Sequence, residues 1–593
     1  MDVIPWEYST RSLKHSADAQ RLNREYNMIS VFRLCTVIAC LLFLYFYFRS
    51  DNFVLIIASI ACAGLFVYFM KRHVVVAAGR KMSETLARIN SDEITFLGGG
   101  NIHYDDGNEY SNPSHPYSYD LDVFGSQSMF RYLNRTGTWI GKDHLARRML
   151  TLLPADAIRL NQEAVKELKG KIDFRQQILA RAIISEDSKK SYDILTGWAE
   201  EKNGQMPQPL IYFSYLSPLL LAISFTVYMY NGSSLAGYAS GLLFFLNLAV
   251  LKSQITRIRR ELAGAEKIHV VIRQHGLIIR DIENEPFKSR LLVSLQEKLS
   301  RKPATVSNDI KRLSVLFSGL DSIYGGLASM LVNGLFLYHV HILRSLLEWK
   351  KNHGLHVREW LDVTGEMEAT GSIANFAFNN PLFVFPKINS GLKLEFKDLG
   401  HPLIRTEKRV VNDLSYDEPF IILTGSNMSG KSTFLRTIGI NMVLGGAGAP
   451  VCATDADIHP LPVLVSMRTN DSLGDSESYF FAEVKRLKGI MDMLSKTVCF
   501  VILDEILKGT NSDDKRTGTL AVIKKIIHHG GIGAIATHDL EICRITGEYP
   551  GKLVNKCFEV EIIKDELYFD YKLRDGVCRN KSATFLMKKM KII

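Results

Sequence analysis

The sequence has few cysteines for its length and no Cys-x-x-Cys pair. Eight cysteines are scattered over 593 residues. This excludes a disulfide scaffold, argues against structural zinc and fits a reducing compartment for the larger part of the chain. A length about four times that of a 150-residue domain predicts several domains.

A strong excess of one charge sign is also missing. The formal net charge is +10, and the basic residues in excess are spread widely. Such a balance permits contact with nucleic acid or anionic lipid but demonstrates neither. Apolar residues make up 47% of the chain, which excludes a mostly disordered protein. The mean hydropathy of +0.02 is high for a soluble protein.

Two adjacent apolar runs, Val31–Phe48 and Phe53–Met70, lie near the start of the chain. Each has a length within the roughly 17–25 residues that cross a bilayer, and a helix is the form that satisfies the backbone in lipid. We therefore predict a transmembrane hairpin at residues 31–72, with two buried core helices as the alternative. The polar residues 1–30 do not resemble a cleaved signal peptide and are expected to form a cytoplasmic N-terminal segment.

A second pair of apolar runs lies in the middle of the chain. No Asp, Glu, Lys or Arg occurs between Lys202 and Lys252, and Asn231-Gly232-Ser233 divides this stretch with a turn signal. We predict a second transmembrane hairpin at residues 206–251, which brings the helices in the lipid bilayer to four. Basic residues flank the outer ends of both hairpins. The sequence therefore predicts a multi-pass protein of the inner (cytoplasmic) membrane, with its N-terminus and large segments in the cytoplasm.

The remaining segments differ in pattern. Residues 73–120 include a stretch rich in Gly, Asn, Ser and Pro and are expected to form a linker. Residues 121–205 and 252–371 carry apolar residues at helical spacing. The second of these regions is dense in mixed charge, which we interpret as a solvated helix face, with a nucleic-acid track as the alternative.

Short β-rich runs alternate with helical patterns in residues 372–593. The strongest runs are Phe420–Thr424, Val498–Leu503 and Gly533–Thr537. Strands that alternate with helices predict a mainly parallel sheet covered on both sides.

A phosphate-binding motif follows the first of these runs. Residues 425–432 match G-x-x-x-x-G-K-[ST] between a predicted strand and a predicted helix. The loop amides and the helix N-terminus would hold phosphate oxygens, Lys431 would reach the β- and γ-phosphates of ATP, and Ser432 would bind Mg²⁺. The predicted ATP-binding residues are Gly425, Ser426, Asn427, Met428, Ser429, Gly430, Lys431, Ser432 and Thr433.

Acidic residues and a histidine end the next two predicted strands. Asp504 would hold Mg²⁺ through its water shell, and Glu505 would activate the attacking water. His538 ends the third strand, where it could sense the γ-phosphate. Together with the loop, these residues predict Mg-dependent ATP hydrolysis.

Several motifs resemble those of the MutS family. The stretch 424–436 resembles that family's Asn-Met-x-Gly-Lys-Ser-Thr loop, 504–511 its Asp-Glu-x-x-x-Gly-Thr stretch and 478–483 its Ser-x-Phe-x-x-Glu segment. Residues 124–141 look like the opening of the MutS core domain. The resemblance implies an ATPase domain related to the ABC type and two nucleotides sandwiched in a head-to-tail dimer. In that arrangement Ser478 of one subunit touches the γ-phosphate held by the other.

The expected fold is α plus α/β. It combines transmembrane hairpins, an all-helical MutS-like core and lever region at 121–205 and 252–371, and a C-terminal P-loop ATPase domain at 372–593. The expected function is that of a membrane-anchored, homodimeric MutS-like ATPase coupled to duplex or branched DNA, without the family's mismatch-reading domain. The alternative is an ATP-driven switch that acts on a membrane or protein partner. An ABC exporter is disfavoured because no Leu-Ser-Gly-Gly-Gln signature occurs.

Overall fold

The structure is a computed structural model, and it describes residues 3–201, 204–262, 268–300, 305–426, 428–468, 479–563 and 566–578. A predominantly helical part precedes an α/β domain, which confirms the expected combination of α and α/β regions.

The chain begins with a long antiparallel pair of helices, α1 (Val3–Ser50) and α2 (Phe53–Leu97). Asn52 caps α2 by accepting a hydrogen bond from the backbone N–H of Val54. The segment expected to be a linker, 73–120, differs from that expectation because α2 continues through it to Leu97. Ile89 is buried in this extension and packs against α6, which supplies the apolar contact that a linker would lack.

A bundle of helices follows. Their bounds are α3 (Met129–Leu133), α4 (Trp139–Leu150), α5 (Ala155–Lys169), α6 (Ile172–Ser185), α7 (Lys189–Glu200), α8 (Gln208–Asn231), α9 (Ser234–Leu262), α10 (Ile268–Asn284), α11 (Arg290–Lys298), α12 (Val306–Asp321), α13 (Leu327–Phe336), α14 (Tyr338–His353) and α15 (Val357–Asn379).

Burial within this bundle follows the helical repeat. In α10 the buried residues Val271, Ile272, Ile278, Ile279 and Ile282 lie on one stripe, which packs against α12 and α6. Helices α8 and α9 pair as a second hairpin, and α12 pairs with α14. The long α15 is buried along most of its length and leads into the α/β domain.

The C-terminal domain contains the strands and the last helices. Their bounds are β1 (Lys387–Ile388), β2 (Leu394–Leu399), β3 (Asn412–Ser415), β4 (Phe420–Gly425), α16 (Lys431–Gly446), β5 (Asp455–Ile458), β6 (Val463–Ser466), α17 (Tyr479–Leu494), β7 (Phe500–Asp504), α18 (Ser512–His528), β8 (Ile532–Ala536), β9 (Leu553–Phe558), β10 (Glu561–Ile563), β11 (Glu566–Tyr568) and β12 (Leu573–Asp575).

The main sheet has the order β12-β9-β4-β8-β7-β6. All of its neighbouring strands are parallel except β12, which runs antiparallel to β9, so the mainly parallel sheet is confirmed. Successive residues of β4 face opposite cores: Ile421 and Leu423 join the core shared with the helical bundle, and Phe420 and Ile422 join the core beneath α17 and α18. Two covered faces explain why β4 reads as a continuous apolar run. A smaller sheet, β1-β5-β2-β3, packs beside it.

Four helices of the described residues are long and apolar enough to cross a membrane, namely α1, α2, α8 and α9. Only 6–17% of the residues in their apolar windows are buried. The bent pair formed by α12 and α13 also passes this test when its two helices are taken together.

Candidate functional site

The phosphate-binding motif connects the central strand β4 to α16. Gly430 precedes the helix with φ +97°, and a Cβ at this position would meet the Tyr571 ring at 2.9 Å. Glycine is therefore required here by both backbone and space. Met428 in the loop has φ +71° and is exposed, while Asn427 lies outside the described residues.

Lys431, the first residue of α16, folds back over the loop that precedes it. Its Nζ donates hydrogen bonds to the backbone oxygens of Gly425 at 2.9 Å and Ser426 at 3.0 Å. The His538 Nε2 lies 3.2 Å away. Burial lowers the pKa of Lys431, and the charges of Glu505 and Asp504 oppose this effect. The lysine is thus held at the mouth of the loop by groups from three parallel strands.

The carboxyl ends of β7 and β8 bring the acidic pair and the histidine together. Asp504 lies opposite Ala536 in the parallel ladder, and the Glu505 N–H donates to the Ala536 carbonyl at 3.0 Å. The Glu505 Oε1 lies 2.5 Å from the His538 Nε2. The hydrogen bond from His538 is the main reason that the pKa of Glu505 falls to about 2, so this carboxylate is ionised at neutral pH. Glu505 also has φ +50°, a strained value for a residue with a side chain.

A cavity of about 550 Å³ lies between this cluster and the loop. Ser429, Ser432, Thr433, Glu505 and His538 are among the residues that line it. The buried Ser429 Oγ has no hydrogen-bond partner among the described residues, so the loop contains an unused polar group. A cationic lysine, hydroxyl groups and a helix N-terminus fit a triphosphate, and a carboxylate and hydroxyl pair suits a hard divalent cation.

The structure brings most of the sequence-predicted site residues to this cavity. Those that line it are Ser426, Met428, Ser429, Gly430, Lys431, Ser432, Thr433, Glu505 and His538. Gly425 and Asp504 do not line the cavity: the Gly425 carbonyl accepts a hydrogen bond from Lys431, and the charge of Asp504 acts on the same lysine. Ser478, like Asn427, lies outside the described residues.

Two functional contributions were missed by sequence reasoning. The buried carboxylate of Glu483 accepts hydrogen bonds from the backbone N–H groups of Leu507 at 2.6 Å and Lys508 at 3.2 Å, and so holds the loop that follows Glu505. Tyr571 lines the far wall, where its carbonyl accepts a hydrogen bond from Asn412 at 3.0 Å. Glu483 is the fifth residue of α17, a position visible in the sequence, but its contact is with a loop remote along the chain.

Comparison with known proteins places this domain. Residues 421–591 match the family described as MutS domain V. The DNA mismatch repair protein MutS of Methanococcoides burtonii is 30% identical over 235 residues, 38% of this chain and 26% of that protein. MutS of Thermotoga petrophila is 29% identical over 228 residues, 37% of this chain and 28% of that protein. The chain therefore matches about a quarter of the length of these curated relatives. The C-terminal domain of this chain is therefore similar to domain V of the MutS family.

Proposed function

We propose that this chain binds and hydrolyses ATP at the cavity beside Lys431. The observation that carries the proposal is the cluster of Lys431, Glu505 and His538 within hydrogen-bond distance at the end of three parallel strands. The loop amides and Lys431 bind the phosphates, and Glu505, ionised at neutral pH, accepts the proton of the attacking water. His538 orients Glu505 and lies where it can contact the γ-phosphate.

The residues present also fit Mg²⁺. Ser432 and Asp504 would hold the cation, which supplies neutralisation of the charge that develops on the phosphates. Every other step of the proposed reaction uses the protein's own groups.

We further propose that two copies of the chain complete the ATP sites by pairing through their ATPase domains. In this arrangement Ser478 of one copy touches the γ-phosphate bound by the other, as the family resemblance implies. Met428 is 77% exposed at the mouth of the site, where the second copy would contact it.

The membrane placement is the next part of the proposal. Helices α1, α2, α8 and α9 expose apolar side chains along their candidate spans, which a bilayer would cover. With these spans in the inner membrane, the ATPase domain lies in the cytoplasm. ATP-dependent movement would then pass through α12, α14 and α15 to the membrane hairpins.

This movement has two candidate targets, DNA and the membrane or a membrane partner, and a different observation favours each. The relatives are DNA mismatch repair proteins, which favours coupling to duplex, mismatched or branched DNA. The packing of α13 against α9 favours a switch that acts on the membrane or on a membrane partner.

The first experiment compares nucleotide binding by the parent protein and by Lys431→Ala. Loss of the ammonium should abolish tight Mg·ATP capture, whereas Lys524→Ala, a change at an exposed lysine of α18, should not. If Lys431→Ala captured Mg·ATP as tightly as the parent, the proposed site would be wrong.

The second experiment measures ATP hydrolysis with and without duplex, mismatched and branched DNA. Coupling to DNA predicts stimulation, together with binding that weakens steeply as salt rises. Absence of binding at low salt would exclude the DNA output and leave the membrane switch.

A further inference from the structure

Helices α12 and α14, the pair that we call the lever, are connected by the short apolar helix α13. After Asp321 the chain turns through Gly325-Gly326 into α13, and α12 and α13 enclose a bend of 114°. No Asp, Glu, Lys or Arg occurs between Asp321 and Arg344. The tip of an otherwise highly charged pair of helices is therefore free of charged residues of these four types.

The burial pattern of helix α13 is the reverse of that expected for a helix in water. Its large apolar side chains point outward, with Leu327 74%, Leu331 49% and Phe336 61% exposed. Its buried residues are the small or polar Ser329, Asn333 and Gly334. Burial of apolar area is what stabilises a helix against a protein core in water, so this arrangement forgoes that stabilisation. Small residues at the contact and large apolar residues outside are typical of helices surrounded by lipid.

The contact of α13 with the second hairpin is close and polar. A Cβ at Gly334 would meet the Phe244 ring of α9 at 2.1 Å, so the two helices approach as only glycine allows. The Asn247 side chain donates to the Gly334 carbonyl at 2.8 Å and accepts from the Ser217 hydroxyl at 2.6 Å. Ser217 and Asn247 lie inside the apolar runs of α8 and α9, which sets the depth of α13 along the hairpin.

The polar groups at this depth are paired with one another. Asn333 contacts the Nδ1 of His339 at 2.7 Å, and the His339 N–H donates back to the Asn333 side chain at 3.0 Å. Arg344, the first charged residue after α13, donates to the Tyr215 hydroxyl at 2.9 Å. Internal pairing of polar groups followed by an arginine and a tyrosine is the order in which a chain leaves a bilayer for its aqueous interface.

We propose that α13 is a re-entrant helix that lies in the cytoplasmic leaflet, where Leu327, Leu331 and Phe336 contact lipid acyl chains. The proposal rests on the membrane placement of α8 and α9 given above. It makes the tip of the lever a part of the membrane domain, so that lever movement displaces lipid and the second hairpin directly.

The test uses the full chain in vesicles of phosphatidylethanolamine and phosphatidylglycerol. Cys35, Cys40 and Cys62 are replaced by alanine, and an environment-sensitive fluorophore is attached to Leu331→Cys or, independently, to Phe336→Cys. Leu242→Cys on the exposed face of α9 is the lipid control, and Leu355→Cys, exposed in the turn just after α14, is the aqueous control. Quenching is measured with lipids that carry a nitroxide on the acyl chain and with aqueous iodide.

The emission of labels at 331 and 336 should lie at shorter wavelength than that of the label at 355. The nitroxide lipid should quench the labels at 331 and 336 as it quenches the label at 242. Iodide should quench only the label at 355. Quenching of 331 and 336 by iodide would overturn the proposal. Protection from both quenchers would also overturn it, because the face would then be covered by protein such as a second copy. If the label at 242 were itself quenched only by iodide, the membrane placement would fail, and this inference with it.

Discussion

The end of this chain that we propose binds ATP and the end that we propose lies in a membrane arrange polar side chains in opposite ways. Beside α16, the polar side chains of Lys431, Glu505 and His538 surround a cavity, and the apolar side chains pack behind them. Beside α13, the polar side chains of Asn247 and Asn333 lie inside, and the apolar side chains face outward.

Both ends nevertheless obey the same physical rule. Apart from the Ser429 hydroxyl, the buried polar groups described above are paired, and apolar groups contact whichever surroundings are apolar. At the ATPase end those surroundings are the sheet and its helices, and at the other end they are the lipid of the proposed membrane. The direction of the apolar side chains is therefore evidence about the solvent of each region.

The largest expected effect is on ATP hydrolysis and follows from replacing the proposed catalytic base, Glu505. Glu505→Gln keeps the size of the side chain but removes the base, so ATP hydrolysis should fall by about 10²–10⁴-fold while ATP binding remains. Steady-state hydrolysis and nucleotide binding measure the two quantities. Glu541→Gln, at an exposed carboxylate of the same domain, should hydrolyse ATP at the parent rate. A Glu505→Gln protein as active as the parent would contradict the catalytic role.

The next effect concerns the attachment of the first hairpin to the helical core. The buried Glu93 of α2 forms an ion pair with Arg135 and accepts hydrogen bonds from Asn375 at 3.0 Å and Asn379 at 2.9 Å. Glu93→Gln leaves the arginine charge buried and unpaired, which should cost about 3–5 kcal/mol. Thermal unfolding in detergent should occur at a clearly lower temperature.

A matched control lies on the same hairpin. Glu25 pairs with Arg72 at 2.7 Å between α1 and α2, but both side chains are accessible to solvent. Glu25→Gln should therefore cost less than about 1 kcal/mol. Equal losses for Glu93→Gln and Glu25→Gln would show that the buried network does not anchor the hairpin.

A pH effect is expected at the contact between α4 and α15. Burial opposes protonation of His144, but hydrogen bonds and charges from Asp362 and Glu366 raise its pKa to about 9. Because the pKa of His144 is higher in the folded protein than in the unfolded chain, its protonation stabilises the fold. This contribution is complete below pH 6.5 and is lost as the pH rises through 9. The contribution is on the order of 1–3 kcal/mol.

Thermal unfolding measured across that pH range is the readout. The parent protein should lose stability on the alkaline side, and His144→Gln should remove this part of the dependence. A parent protein whose dependence is unchanged by His144→Gln would contradict the assignment.

The smallest effect tests the joint between α13 and the second hairpin. Asn247→Ala removes the hydrogen bonds to Gly334 and Ser217 and should weaken the contact by about 0.6–2 kcal/mol. Hydrogen exchange should increase in residues 327–336 and stay unchanged in α16. Ser224→Ala removes an α8–α9 contact to Ser240 at 2.8 Å and should leave α13 unaffected. Equal exchange of α13 in both variants would show that Asn247 does not hold it.

Local patterns made the ATPase domain readable from the sequence. A continuous apolar strand, a glycine-containing loop and a helix start occur within a few residues of one another, so β4, the loop and α16 were predicted from adjacent positions. The meeting of Glu505 with His538 followed from the edge shared by parallel strands. The support that Glu483 gives to the following loop could not be predicted, because it depends on how α17 packs.

Helix α13 and the extension of α2 were harder to interpret, for physical reasons. The ten residues of α13 are too few to span a bilayer, and the charged helices on either side concealed them in any average over the region. The signal that could have found α13 is the run without Asp, Glu, Lys or Arg between Asp321 and Arg344. The extension of α2 was obscured by the buried polar residues Asn90 and Glu93, whose partners lie far away in the sequence.

The unbroken course of α1 has a geometric consequence. The part of this helix before Val31 is about 40 Å long at 1.5 Å per residue. A continuous helix resists compression, so with its apolar run in the bilayer as proposed it acts as a stiff strut. It would then hold the helical core, which it contacts through the hydrogen bond from the Tyr8 hydroxyl to Asn379 at 2.8 Å, at a fixed distance from the membrane surface.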